Sequence, residues 1–120
     1  MTLRMWRFDR RKSPSTRLGF SFCYHERMAA AVPTVKIDSD RVRVTEWRFA
    51  PGAATGWHRH EYDYVVVPMT TGPLASAGPG GAVSTSQLVT GEPYSRPAGI
   101  EHDVRNPNPT EFVFLEIELK

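Results

Sequence analysis

From residue 34 onward, hydrophobic and polar positions fall into short alternating runs, the period of strands with one buried face. Residues 34–38 alternate, Ser39 and Asp40 make a turn, and residues 41–50 read as a long strand with Val42 and Val44 on one face. Trp47 and Phe49 have the opposite parity, which predicts a bulge or a change of buried face near Thr45 and Glu46. Pro51 and Gly52 end this strand, and the next carries His58 and His60 through Tyr62 and Tyr64 to Val67, where Pro68 stops it. A turn over residues 70–73 precedes a short strand near Leu74. Gly78, Gly80 and Gly81 then supply a hairpin loop ahead of a polar, exposed strand over residues 82–90. Turns at residues 91–93 and 97–99 flank the segment 94–96 and lead into the strand of His102. That strand closes at the turn-forming residues Asn106, Pro107, Asn108 and Pro109.

The last run, residues 111–120, alternates strictly, with Val113, Leu115, Ile117 and Leu119 on one face and Phe112 and Phe114 on the other. A strand apolar on both faces early in its course belongs between a barrel interior and a neighbour, and a second copy of the chain, in a homodimer, is the simplest neighbour. Roughly nine short strands separated by Gly/Pro turns, with no convincing helix, predict an all-β fold built as a small barrel.

Composition narrows the classes. A chain of 120 residues supports one domain with a modest core. No apolar run approaches the roughly 18 residues that cross a bilayer, so a soluble protein without a membrane partner is expected. Cys23 is the single cysteine, which excludes an internal disulfide and suits a reducing, cytoplasmic compartment. Residues 1–33 are Arg-rich and aperiodic, and form a basic extension ahead of the barrel region, residues 34–120. A secretory signal and a basic arm for RNA or anionic lipid are readings of this extension. The change of composition favours a third, a disordered tail or over-extended translation start ahead of Met28. Residues 1–27 hold seven basic and two acidic side chains, a net of +5, and the remainder holds eight and eleven, a net of −3. The patterned part is therefore mildly acidic and gives no reason to expect nucleic acid.

The candidate chemistry lies in the histidines. Residues i and i+2 of a strand point to one side, so His58 and His60 share a face and can chelate one ion, with His102 as a third ligand if its strand lies nearby. An isolated His-x-His is more often a pair of partly buried polar residues. Here Gly52, His58 and His60 follow the pattern G-x5-H-x-H, while Gly91, Pro97, Gly99, His102 and Asn106 follow G-x5-P-x-G-x2-H-x3-N. These resemble the two motifs of the cupin family. Residues 58–68 and the ending 112–120 are similar to small single-domain cupins, some of which are labelled beta-alanine degradation proteins. The resemblance implies a double-stranded β-helix, or jelly-roll, barrel over residues 34–120 and a divalent metal on His58, His60 and His102. Imidazole suits iron, zinc, nickel, copper and, less well, manganese. Gly91 and Gly99 are expected to permit turns, Pro97 to restrict the loop that aims His102, and Asn106 to fix a turn through its amide.

The family's acid is absent, since Tyr64 stands in the glutamate's place. Tyr64 keeps the parity of the histidines, whereas Glu61 and Asp63 do not. A neutral phenol is a poor ligand, so the expected site has three histidines and no ligand charge. Such a site favours an anionic or chelating small-molecule substrate. Tyr62 and Tyr64 are candidates to orient that substrate or donate a proton, and equally candidates for aromatic filler. Three-histidine cupins resemble non-haem iron dioxygenases, in which Tyr64 or Arg96 would steady the substrate's anion. A non-catalytic metal- or ligand-binding module and a metal-assisted isomerase stand as alternatives.

Overall fold

The computed structural model describes residues 30–120, so the basic extension up to residue 29, with Cys23 and Met28, lies outside the described residues. Nine strands follow in order: β1 (Val32–Asp38), β2 (Val42–Phe49), β3 (His58–Arg59), β4 (Asp63–Pro68), β5 (Gly72–Ala77), β6 (Val83–Leu88), β7 (Tyr94–Arg96), β8 (Glu101–Arg105) and β9 (Phe112–Leu119). The only helical turn among the described residues is the short 3₁₀ segment Pro79–Gly81, in the expected β5–β6 hairpin loop. The ladder starts at Val32, ahead of the expected boundary at residue 34, because Pro33 is tolerated on an edge strand.

All strand pairs are antiparallel and form two sheets, β1-β2-β9-β4-β7 and β3-β8-β5-β6. The chain crosses between the sheets after β2, β3, β4, β6, β7 and β8. Inner side chains of both sheets therefore meet in one core, which includes Trp47, Phe49, Tyr64, Val66, Leu74, Leu88, Val104, Phe112 and Phe114. Phe49 packs against Phe114 with ring centroids 5.5 Å apart. Asn106, fully buried, closes the structure where β2, β8 and β9 meet. Its amide donates to the carbonyls of Phe49, Ala50 and Thr110 at 2.9–3.3 Å, and its Oδ1 accepts from the Asn108 N–H at 2.8 Å. The amide thus does what the sequence assigned to it.

Two expectations about buried faces need correction. β2 pairs with β9 without interruption from Val42↔Leu119 to Phe49↔Phe112, so it neither bulges nor changes face near Thr45; the irregularity lies in β1, between Val35 and Ile37. The inner face of β2 is Arg43, Thr45, Trp47 and Phe49, and Val42 and Val44 point outward. Likewise β9 turns Glu116 and Glu118 inward beside Phe112 and Phe114. Arg43 is tolerated inside because its Nε donates to Glu118 Oε1 at 2.7 Å, and a buried charge persists when it is paired.

Candidate metal centre

His58 on β3 lies directly across from His102 on β8, and His60 follows two residues along the same strand direction. The loop before β8 is pinned to that stretch. The His60 N–H donates to Ile100 O at 2.9 Å, the Gly99 N–H to His60 O at 2.8 Å, and the Ala98 N–H to Asp63 Oδ1 at 2.9 Å. Gly99 holds φ at +97°, a conformation that side-chain-bearing residues rarely adopt, so the turn that aims His102 depends on glycine.

The three imidazoles converge. Nε2 of His60 is 3.1 Å from Nε2 of His58 and 3.1 Å from Nε2 of His102, and one ring nitrogen from each residue falls within a 4.8 Å group. The rings meet edge to face, at interplanar angles of 64–80°. Two nitrogens held by a shared ion at about 2.1 Å stand about 3 Å apart when their bonds are near a right angle, and the observed spacings match that. Removal from water pushes the imidazole pKa values down, to about 2 for His58, about 3 for His60 and about 4 for His102, so all three rings are neutral near pH 7.

The outer nitrogen of His58 is held as ligation requires, and those of His60 and His102 each face a polar side chain. Nδ1 of His58 sits 2.9 Å from the Gly56 carbonyl, which only accepts, so Nδ1 carries the hydrogen and Nε2 keeps its lone pair. Nδ1 of His102 lies 3.3 Å from Ser76 Oγ. Nδ1 of His60 faces Glu116 Oε2 at 3.3 Å, and the other Glu116 oxygen accepts from Trp47 Nε1 at 3.0 Å. A carboxyl group behind a ligating imidazole helps to fix its orientation. The group therefore fits a divalent cation by donor chemistry, tautomer and spacing.

Glu116 escaped the sequence reading. Its signal was present, because it shares the parity of Phe112 and Phe114, and an acid continuing an aromatic inner face has a reason to be inside. Burial pushes its carboxyl up to about 8, against the opposing hydrogen bond from Trp47. Tyr64 occupies the position the motif reserves for an acid, and its ring stacks on His60 with centroids 3.9 Å apart and 17° between planes. Burial, then the neighbouring Glu116, holds its hydroxyl above the ordinary tyrosine range. Tyr62 is half-buried in the turn before β4 and outside the cavity lining, while Glu61 and Asp63 are exposed.

His58 and His102 stand at the wall of a cavity of about 320 Å³, with His60 behind them. Ser76, Ser84 and Ser86 line it from the same sheet as these histidines, Tyr64, Glu116, Tyr94 and Arg96 line it from the other sheet, and the rest is largely aliphatic.

Among known proteins, the beta-alanine degradation protein BauB of Pseudomonas aeruginosa is 56% identical over 90 residues, covering 75% of this chain and 94% of BauB. A cupin domain from Bordetella pertussis Tohama I, solved by crystallography, superposes with a TM-score of 0.74 at 64% identity, over 77% of this chain and 95% of that one. A cupin superfamily protein from Desulfitobacterium hafniense DCB-2 shares the fold alone, with a TM-score of 0.58 at 20% identity over 74% of this chain and 76% of that one. No family model matches the chain. With identities of 56% and 64% over about three quarters of its length, the chain belongs to the cupin family, with BauB among its relatives.

Proposed function

We propose that this chain is a metal-dependent enzyme converting a small anionic or chelating molecule, in the manner of a non-haem dioxygenase. The observation that carries this reading is the convergence of three neutral imidazoles, without a carboxylate among them, beside a small-molecule cavity whose lining includes His58 and His102. A divalent ion held there would supply Lewis-acid chemistry and, if it is iron, chemistry with dioxygen. The chain's own part is to present three Nε2 lone pairs, to keep His60 oriented through Glu116, and to pack Tyr64 against the His60 ring. With no ligand carboxylate to neutralise it, such an ion keeps more of its charge for a substrate anion. The name of BauB, a beta-alanine degradation protein, supports a degradative reaction on a small molecule.

The chain is further read as a homodimer in the cytoplasm. The dimer reading is supported by the outward face of the larger sheet, where Val44, Val65, Val67, Leu115 and Ile117 form a continuous apolar surface.

Iron-loaded protein is expected to consume oxygen when supplied with one member of a panel of β-diketones, small thiols and short amino or keto acids. Tight zinc without turnover supports the non-catalytic module instead, and product formed without oxygen supports an isomerase.

A further inference from the structure

Among the described residues Arg41, Arg96 and Arg105 have no carboxylate partner, and of these only Arg96 lines the cavity. Arg43 pairs with Glu118 at 2.7 Å, Arg48 with Glu111 at 2.9 Å and Arg59 with Glu101 at 3.5 Å. Arg96 lines the cavity, and no carboxylate pairs with it among the described residues. Its direction is set by the ladder. Arg96 on β7 lies directly across from Tyr64 on β4, and cross-strand partners share a face, so Arg96 leaves the sheet on the cavity side, where it lines the exposed edge of the cavity. The guanidinium rests over the Tyr94 ring, 4.9 Å from its centroid, a cation–π shelf that holds it in place. It is near enough to His102 for its charge to bear on that ring.

The two acids in the lining are already engaged. Glu101 pairs with Arg59, and Glu116 lies between Trp47 and His60. With both acids engaged, Arg96 is the charged group of the lining that has no carboxylate partner among the described residues. The remaining wall is aliphatic and aromatic, with Val66, Leu74, Leu88, Val104 and Phe114. A guanidinium beside an apolar wall suits a molecule with an anionic head and a compact hydrocarbon body. The planar fork matches a carboxylate in particular.

We propose that Arg96 is the anion-binding group of this cavity and that its ligands are short-chain aliphatic carboxylates, the carboxylate on the guanidinium and the body along the Val66–Phe114 wall. The inference deepens the reading of the cavity as a small-molecule site and rests on it. It separates charge recognition from the imidazoles, which are left to face the other end of the ligand. Arg96 is then a specificity-determining residue.

The test titrates metal-free full-length protein with butyrate and with butyramide, its neutral isostere, following binding by protein NMR. The wild type is expected to prefer butyrate by about tenfold or more, the scale of a hydrogen bond to a charged group. Arg96→Gln should collapse that preference while butyramide affinity stays unchanged, which also shows that the cavity is intact. A preference that survives Arg96→Gln, or a wild type that binds butyrate no better than butyramide, overturns the proposal. The same titration on His102→Ala separates the two readings. A preference retained there, with metal uptake lost, upholds the anion site independently of the ion. If the wild type takes up no metal yet discriminates butyrate through Arg96, the metal reading falls and this one stands.

Discussion

The two faces of β9 reverse the usual assignment of hydrophobic and polar. Its inner face begins with Phe112 and Phe114 and ends with Glu116 and Glu118, both nearly inaccessible to water, whereas its outer face is Val113, Leu115 and Ile117, all half-buried. Each inner acid is held by a different partner. Glu118 neutralises Arg43, and Glu116 sits behind His60 with Trp47 on its other oxygen. A barrel that encloses chemistry places polar groups inside wherever each one finds a partner, and its outward face is left apolar. Side-chain hydrophobicity alone therefore does not identify the interior of such a fold.

If the two inner acids have separate duties, removing them should separate two readouts. Glu118→Ala strips Arg43 of its 2.7 Å partner and is expected to cost about 3 kcal/mol or more in urea unfolding, with metal affinity little changed in the folded fraction. Glu116→Gln keeps the shape and loses the ionisable carboxyl behind His60. Its expected effect is a metal affinity about 10- to 100-fold weaker with smaller loss of stability. Equal effects of both variants on both readouts would show that the inner face acts as one undivided cluster.

A smaller effect distinguishes the buried bases from the buried acid through pH, in metal-free protein. The histidines hold folded pKa values of about 2, 3 and 4 against an ordinary 6.5, so below 6.5 the unfolded chain takes up protons that the folded chain refuses. Their contribution is full above pH 6.5 and is lost as pH falls toward those folded values. Glu116 runs the other way, because its folded value is about 8 and its ordinary value 4.5. Its contribution is full below 4.5 and is lost as pH rises through 8. Between 4.5 and 6.5 three bases outweigh one acid, and above 6.5 the acid acts alone. Melting temperature should therefore peak near pH 6.5 and decline on both sides. A steady rise up to pH 8 would show that Glu116 is ionised in the folded chain.

What could be read from the sequence follows from the range of each signal. The turns at Gly91 and Gly99, the shared face of His58 and His60, and the turn fixed by Asn106 depend on neighbours a few residues away or on spacings preserved in the family motifs. The inward course of Arg43 and Glu118 was not legible, because the pair joins residues 75 apart and neither alone belongs inside. The same holds for Glu116, whose Trp47 partner is 69 residues away. Val42 and Val44 were assigned together to one face, but nothing local says that this face points outward. The single strand expected from His58 to Val67 is two strands, β3 and β4, in different sheets, so shared parity is not what brings Tyr64 to the histidines; it reaches them across the core, where its ring stacks on His60.

The account stands on three imidazole nitrogens sharing one ion, and metal stoichiometry tests this directly. Full-length protein purified without chelators, beside its His102→Ala variant, is to be assayed by elemental analysis after dialysis. About one divalent ion per wild-type chain and almost none in the variant, with the circular dichroism of both alike, is the predicted result. Equal metal in the two proteins, or none in the wild type after incubation with iron and with zinc, would contradict it.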